Sequence, residues 1–118
     1  MMKQLLFLMA ATAAYAAADE VSNHCRQVMR HPAAAVQKQV ERYRQGFCPF
    51  ADVLKAEESY LLRSMQGASN GDFIRFGRQL ISNYKAQIHL AELISDEESA
   101  LQIQQKLYEL EARVLMAE

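Results

Sequence analysis

The side chains best suited to chemistry are three histidines, His24, His31 and His89, two cysteines, Cys25 and Cys48, and one glutamate, Glu57. Histidines on facing helices can hold haem or a metal in exported helical bundles. Here the spacing argues against it, because there is no Cys-x-x-Cys-His attachment motif and no His-x-x-x-His pair. His89 follows core-facing Ile88 and aligns with Lys85 and Glu92, which assigns it to an outer face. His31 precedes Pro32 in a turn, and His24 adjoins a cysteine expected to be oxidised. Met29, Met65 and Met116 lie on three different helices at spacings that suit core filling rather than axial or copper ligation. We therefore expect no metal site and no cofactor.

Proton transfer needs a carboxylate where burial can tune it. Glu57 is the one candidate, since it falls between Leu54 and Leu61 on the apolar side of a helix. The preferred reading is a boundary residue that reaches solvent or pairs with an arginine. The serines show no Gly-x-Ser-x-Gly elbow, and Gly67 to Gly71 lacks the lysine and glycine spacing of a phosphate-binding loop. Arginine has a suggestive arrangement: Arg26, Arg30, Arg42 and Arg44 fall in the segment bounded by the cysteines, and Arg75 and Arg78 on a later helix. These six could face an acidic partner, or form an ordinary solvated surface.

The cysteines take their meaning from the N-terminus. Lys3, an apolar run from Leu5 to Ala18 and the closing Ala16-Ala17-Ala18 have the three parts of a cleavable export signal. Cleavage is expected after Ala18 or after Ala16. Asp19 and Glu20 arrive too early for a membrane span. Residues 1–18 are thus read as a signal peptide and 19–118 as a single helical domain, periplasmic or secreted, with no stable membrane span once the signal is gone. In an oxidising compartment a Cys25–Cys48 disulfide is the default, worth on the order of 3 kcal/mol of lost unfolded-state entropy.

Charge narrows the partners. The chain has 13 basic and 14 acidic side chains, and losing Lys3 leaves 12 basic. From Glu92 to Glu118 seven acids face Lys106 and Arg113, so the part before Glu92 is net basic. No concentrated basic face exists, which excludes nucleic acid as a partner class.

The elements that position these residues are helices. Apolar residues recur at steps of three and four between Pro32, Gly46, Pro49, Gly67 to Gly71 and Ser95, predicting four to five helices and no sheet. The first ends near His31, and Pro32 suits the first turn of the second, which carries Ala33, Val36, Val40 and Tyr43 inward and ends in a left-handed cap at Gly46. An unbroken helix from Cys25 to Cys48 would hold them about 34 Å apart, against about 7 Å for a bridged pair, so a bridge requires the chain to turn at Pro32. Pro49 opens a third helix with Val53, Leu54, Tyr60, Leu61 and Met65 inward, and Asp72 is the expected N-cap of the fourth. Ile74, Gly77, Ile81, Tyr84, Ile88 and Ala91, widened by Phe73, Leu80 and Ile94, mark the fourth helix. Ala100, Ile103, Leu107, Leu110, Val114 and Ala117 mark the fifth. With Ser95 to Glu98 as a capping box between them, the two should fold back as a long antiparallel hairpin.

The expected function is that of a non-enzymatic helical binding or adaptor protein: an adaptor, inhibitor, chaperone-like factor or part of an envelope complex. A protein partner is expected, with a homodimer through the last two helices, because Phe73, Phe76, Tyr84, Leu101, Tyr108 and Leu115 exceed what one small core covers. The alternatives are a carrier of a small ligand or haem within the bundle, and a small secreted helical enzyme built on Glu57.

Overall fold

The computed structural model describes residues 19–118; the expected signal segment, residues 1–18, lies outside the described residues. The described residues form five helices: α1 over residues 19–28, α2 Ala34–Arg44, α3 Phe50–Met65, α4 Asn70–Leu93 and α5 Glu97–Ala117. No strand occurs among them. The chain is a small helical bundle, as the periodicity predicts. No helix of the described residues is long and apolar enough to cross a membrane.

The α1–α2 turn is held by side chains that replace missing helix partners. The Ala33 N–H donates to His31 Nδ1 at 3.1 Å, and the Gln37 amide donates to the carbonyls of His31 (2.6 Å) and Met29 (3.3 Å) at the end of α1. Pro32 precedes the N-cap Ala33 instead of occupying the first turn of α2. At the far end Gly46 (φ 78°) closes α2 in a Schellman motif, with Phe47 N–H on Arg42 O at 2.8 Å and Gly46 N–H on Tyr43 O at 3.0 Å.

The expected disulfide is not formed: Cys25 and Cys48 are both free thiols. The chain does turn at Pro32, but that turn alone does not bring the cysteines together. Cys25 lies within one helical turn of the end of α1, whereas the 11 residues of α2 carry the chain about 16 Å onward before Cys48 is reached. There Cys48 Sγ faces Gln39, 3.8 Å from its backbone and side-chain oxygens.

The hairpin of α4 and α5 is antiparallel, since the start of α4 meets the end of α5. Asn70 Nδ2 donates to Ala117 O at 2.7 Å, and Arg78 pairs with Glu118 at 2.6 Å. Both expected caps move by a few residues. Ser69, not Asp72, caps α4, accepting from Asp72 N–H at 3.3 Å. Asp96, not Ser95, caps α5, accepting from Ser99 N–H at 3.1 Å. The reason is the end of α4: Asp96 N–H bonds Ala91 O and Ser95 N–H bonds Glu92 O, a second Schellman motif that forces Ser95 to φ 59°. A residue held there cannot adopt the extended conformation of an N-cap.

Two apolar clusters fill the interior. Val28, Val36, Val40, Val53, Leu54 and Ala86 join α1 and α2 to the first half of α3 and to α4. Leu61, Met65, Leu80, Tyr84, Ile88, Leu107, Leu110 and Val114 join the second half of α3 to the hairpin. At Gly77 α4 lies tightly against α5, for a Cβ built there would stand 2.5 Å from Val114 Cγ2. Three residues expected inward are not: Tyr43 is 39% exposed and stacks edge-on against Phe50, Ile94 is 75% exposed at the hairpin turn, and Met116 is 88% exposed near the end of α5.

Candidate functional site

Glu57 is the polar residue that helix geometry forces inward, because Leu54 and Leu61, three residues before and four after, are both fully buried. It neither reaches solvent nor meets an arginine, contrary to the preferred expectation. Its Oε1 lies 2.6 Å from His24 Nε2 of α1 and accepts from Asn83 Nδ2 of α4 at 2.8 Å. Asn83 also donates to the Leu54 carbonyl at 2.8 Å. One turn further along α4, Gln87 donates to Asn83 Oδ1 at 2.7 Å and to Glu58 Oε1 at 2.9 Å. The other Glu58 oxygen accepts the Tyr84 hydroxyl at 3.2 Å and lies 3.8 Å from Lys106 Nζ of α5.

A buried carboxylate costs several kcal/mol in lost hydration unless its partners replace the water. Here they do, and no buried side-chain nitrogen or oxygen of the described residues lacks a partner. The surrounding groups are tuned toward neutrality. Burial, then the neighbouring Glu58 charge and hydrogen bond, push the Tyr84 hydroxyl far above its ordinary range, so it remains a donor. Burial and the Glu57 charge push the Cys25 thiol up, which disfavours a reactive thiolate. Burial pulls His31 down, with His24 acting the same way and Glu57 opposing, so its Nδ1 is kept as the acceptor for Ala33 while its ring packs edge-on against Tyr60 at 5.0 Å.

His24, Glu57 and Asn83 are 6%, 4% and 0% exposed. A proton-transfer pair must reach a substrate, and this one is closed to it. The network instead fixes α1, α3 and α4 in register. Sequence reasoning found Glu57 but missed His24, Glu58, Asn83 and Gln87 as its partners. The usable signal was on α4, where Asn83 and Gln87 interrupt the apolar series Leu80, Tyr84, Ile88, Ala91 and so must point into the core.

Of the six arginines Arg26 lies on α1, Arg42 and Arg44 on α2, Arg75 and Arg78 on α4, and Arg30 in the turn after α1; all are exposed. Arg26 bonds Asn23 of its own helix, Arg44 pairs with Glu41, Arg75 with Asp72 and Arg78 with Glu118. His89 borders a cleft among α1, α4 and α5 with Glu20, Lys85, Glu92 and Gln104. Among the described residues no group of three or more His, Cys, Asp or Glu is placed to hold a metal ion.

The open features are apolar. A groove of about 440 Å³ at the hairpin turn is lined by Phe50, Leu90, Leu93, Ile94 and Ile103, with Lys55 and Gln87 among its polar residues. On the outer side of α5, Leu101, Tyr108 and Leu115 are 71%, 65% and 71% exposed. Phe73 and Phe76 are half-buried and covered by Arg113 and Arg75 respectively, and Tyr84 is buried, so the uncovered apolar surface is narrower than the sequence suggests. Comparison with protein-family models, curated proteins and solved structures returned no match.

Proposed function

We propose that the chain is an exported, non-enzymatic helical binding module, working in the periplasm or the secreted medium as an adaptor, inhibitor, chaperone-like factor or envelope-complex component. The observation that carries this reading is the row of exposed Leu101, Tyr108 and Leu115 on α5, in a molecule whose main polar constellation is closed and fully paired. Large exposed apolar side chains aligned on one side of a helix are a recurrent mark of a contact surface. With the thiols free, the export part of the reading rests on the N-terminal segment alone. Sequencing the protein from its host should find a start at Asp19 or Ala17; a start at Met1 would remove export. The binding part is tested by in-cell crosslinking of the protein followed by mass spectrometry. A specific companion joined to α4 or α5 is expected, and crosslinks confined to the protein's own chain would refute it.

A carrier of a small apolar ligand is the second reading, favoured by the groove at the hairpin turn. Its lining contains no histidine, cysteine or methionine, so it suits an organic apolar molecule better than a ligated haem. A thermal shift with lipophilic ligands would promote it over the binding module.

A further inference from the structure

We infer that the outer face of α5 seats a basic amphipathic helix of a partner protein, an inference that rests on the binding-module reading and adds the partner's chemistry. Leu101, Tyr108 and Leu115 stand seven residues apart, close to two helical turns, so they form one row over about 21 Å of helix. Gln105 and Ala112, both exposed, complete the alternating steps of four and three that mark a helix-to-helix seam. The opposite side of α5 carries buried Leu107, Leu110 and Val114. This helix therefore carries apolar side chains on two sides, and among the described residues only the inner one is packed into the core.

The charges select the occupant. Bordering the row are Glu97, Glu98, Glu109 and Glu111, all exposed, and none forms a salt bridge among the described residues. The two cations of α5 turn the other way, Lys106 toward Glu58 and Arg113 over the Phe73 ring at 5.3 Å. Arg78 is held by Glu118. A second copy on this seam would place glutamates beside glutamates with no cation between them, which coiled-coil pairing penalises. A helix with apolar residues at the same spacing and lysine or arginine on its flanks meets the face with opposite charge. A hollow of about 350 Å³ beside Leu115, bordered by Ile81, Ala112 and Val114, offers room for one bulky anchor from it.

The test is a fluorescence-anisotropy titration of the purified protein with a synthetic three-heptad helix carrying leucine on the seam and lysine on the flanks, at physiological salt. The controls are a scrambled peptide of the same composition and a version with glutamate flanks. The expected result is at least about tenfold tighter binding of the lysine-flanked helix than of either control, a loss of about tenfold in Tyr108→Ala, and a reversed charge preference in Glu109→Lys/Glu111→Lys, with unchanged circular dichroism. Equal binding of the scrambled peptide, or a sedimentation dimer dissolved by Tyr108→Ala, would overturn it. A cellular companion crosslinked to α5 without any preference for the basic helix would also overturn the inference, while leaving the binding-module reading standing. Absence of both would remove both.

Discussion

Glu57 in α3 is 4% exposed and holds partners on two other helices; Tyr108 in α5 is 65% exposed and belongs to neither apolar cluster of the described residues. The residue with chemistry in its side chain is consumed by architecture, and the residue with little chemistry is left exposed. The difference arises from what each neighbourhood lacks. Near Glu57 the apolar cluster of Val28, Val36, Val40, Val53, Leu54 and Ala86 draws on four helices, and a satisfied polar network locks α1, α3 and α4 beside it. Around Tyr108 the core is already filled from the other side of α5 by Leu107, Leu110 and Val114, so its own face needs nothing for folding.

The sharpest way to break this comparison is Glu57→Ala. It strands His24 and Asn83 without their acceptor and should cost about 3–5 kcal/mol, a large part of the stability of a domain this size. Tyr108→Ala should move the denaturation midpoint by no more than about 0.5 kcal/mol. Equal effects in urea unfolding would mean that the two regions do not differ as described. Glu57→Gln with fold and partner binding intact would show further that the charge itself is dispensable.

Gly77→Ala should follow in size. The new methyl meets Val114, a β-branched side chain with little rotamer freedom in a helix, and overpacking of this kind costs about 1–3 kcal/mol. A double variant with Val114→Ala should recover less than additively expected destabilisation in thermal melts, because the clash is gone.

Acid should loosen the α1–α2 turn. Burial holds His31 below its ordinary range, so near and below pH 6.5 the unfolded state binds more protons than the folded one. Its contribution is present above the unfolded value and is lost as pH falls through the lower folded value, where Nδ1 can no longer accept from Ala33. Urea midpoints at pH 7.5 and 5 should drop more for the native protein than for His31→Gln; parallel drops would show that His31 is not the group responsible.

A further expected effect has the opposite sign. Ser95 occupies a left-handed position where glycine is usual, and Ser95→Gly should stabilise the protein by about 0.5–1 kcal/mol, read as a raised melting temperature. A lowered one would assign Ser95 a contact role at the hairpin turn.

The helices were legible because their burial follows the 3.6-residue period: Val36 and Val40, Leu54 and Leu61, Leu80, Ile88, Leu107 and Val114 were all placed inward by spacing. The surplus apolar face was legible only in part: of its six expected members Leu101, Tyr108 and Leu115 are exposed, whereas Tyr84 is buried and Phe73 and Phe76 are half-buried. The thiols were misread because compartment and cysteine count carry no information about distance, and the turn they were meant to staple is fastened by His31 and Gln37. The cap of α5 was misread because the end of α4 claims Ser95 first. The network around Glu57 stayed hidden because each member has an ordinary surface role by type, and only the tertiary arrangement brings α1, α3 and α4 to one point.

The central claim is that contact is made on the outer face of α5 and is independent of the fold. It is tested most directly by the yield of crosslinked companion from Leu101→Ser/Tyr108→Ser/Leu115→Ser compared with the native protein in its host. The account predicts that the companion is lost while the denaturation midpoint stays where it was. A companion retained at native yield would contradict it.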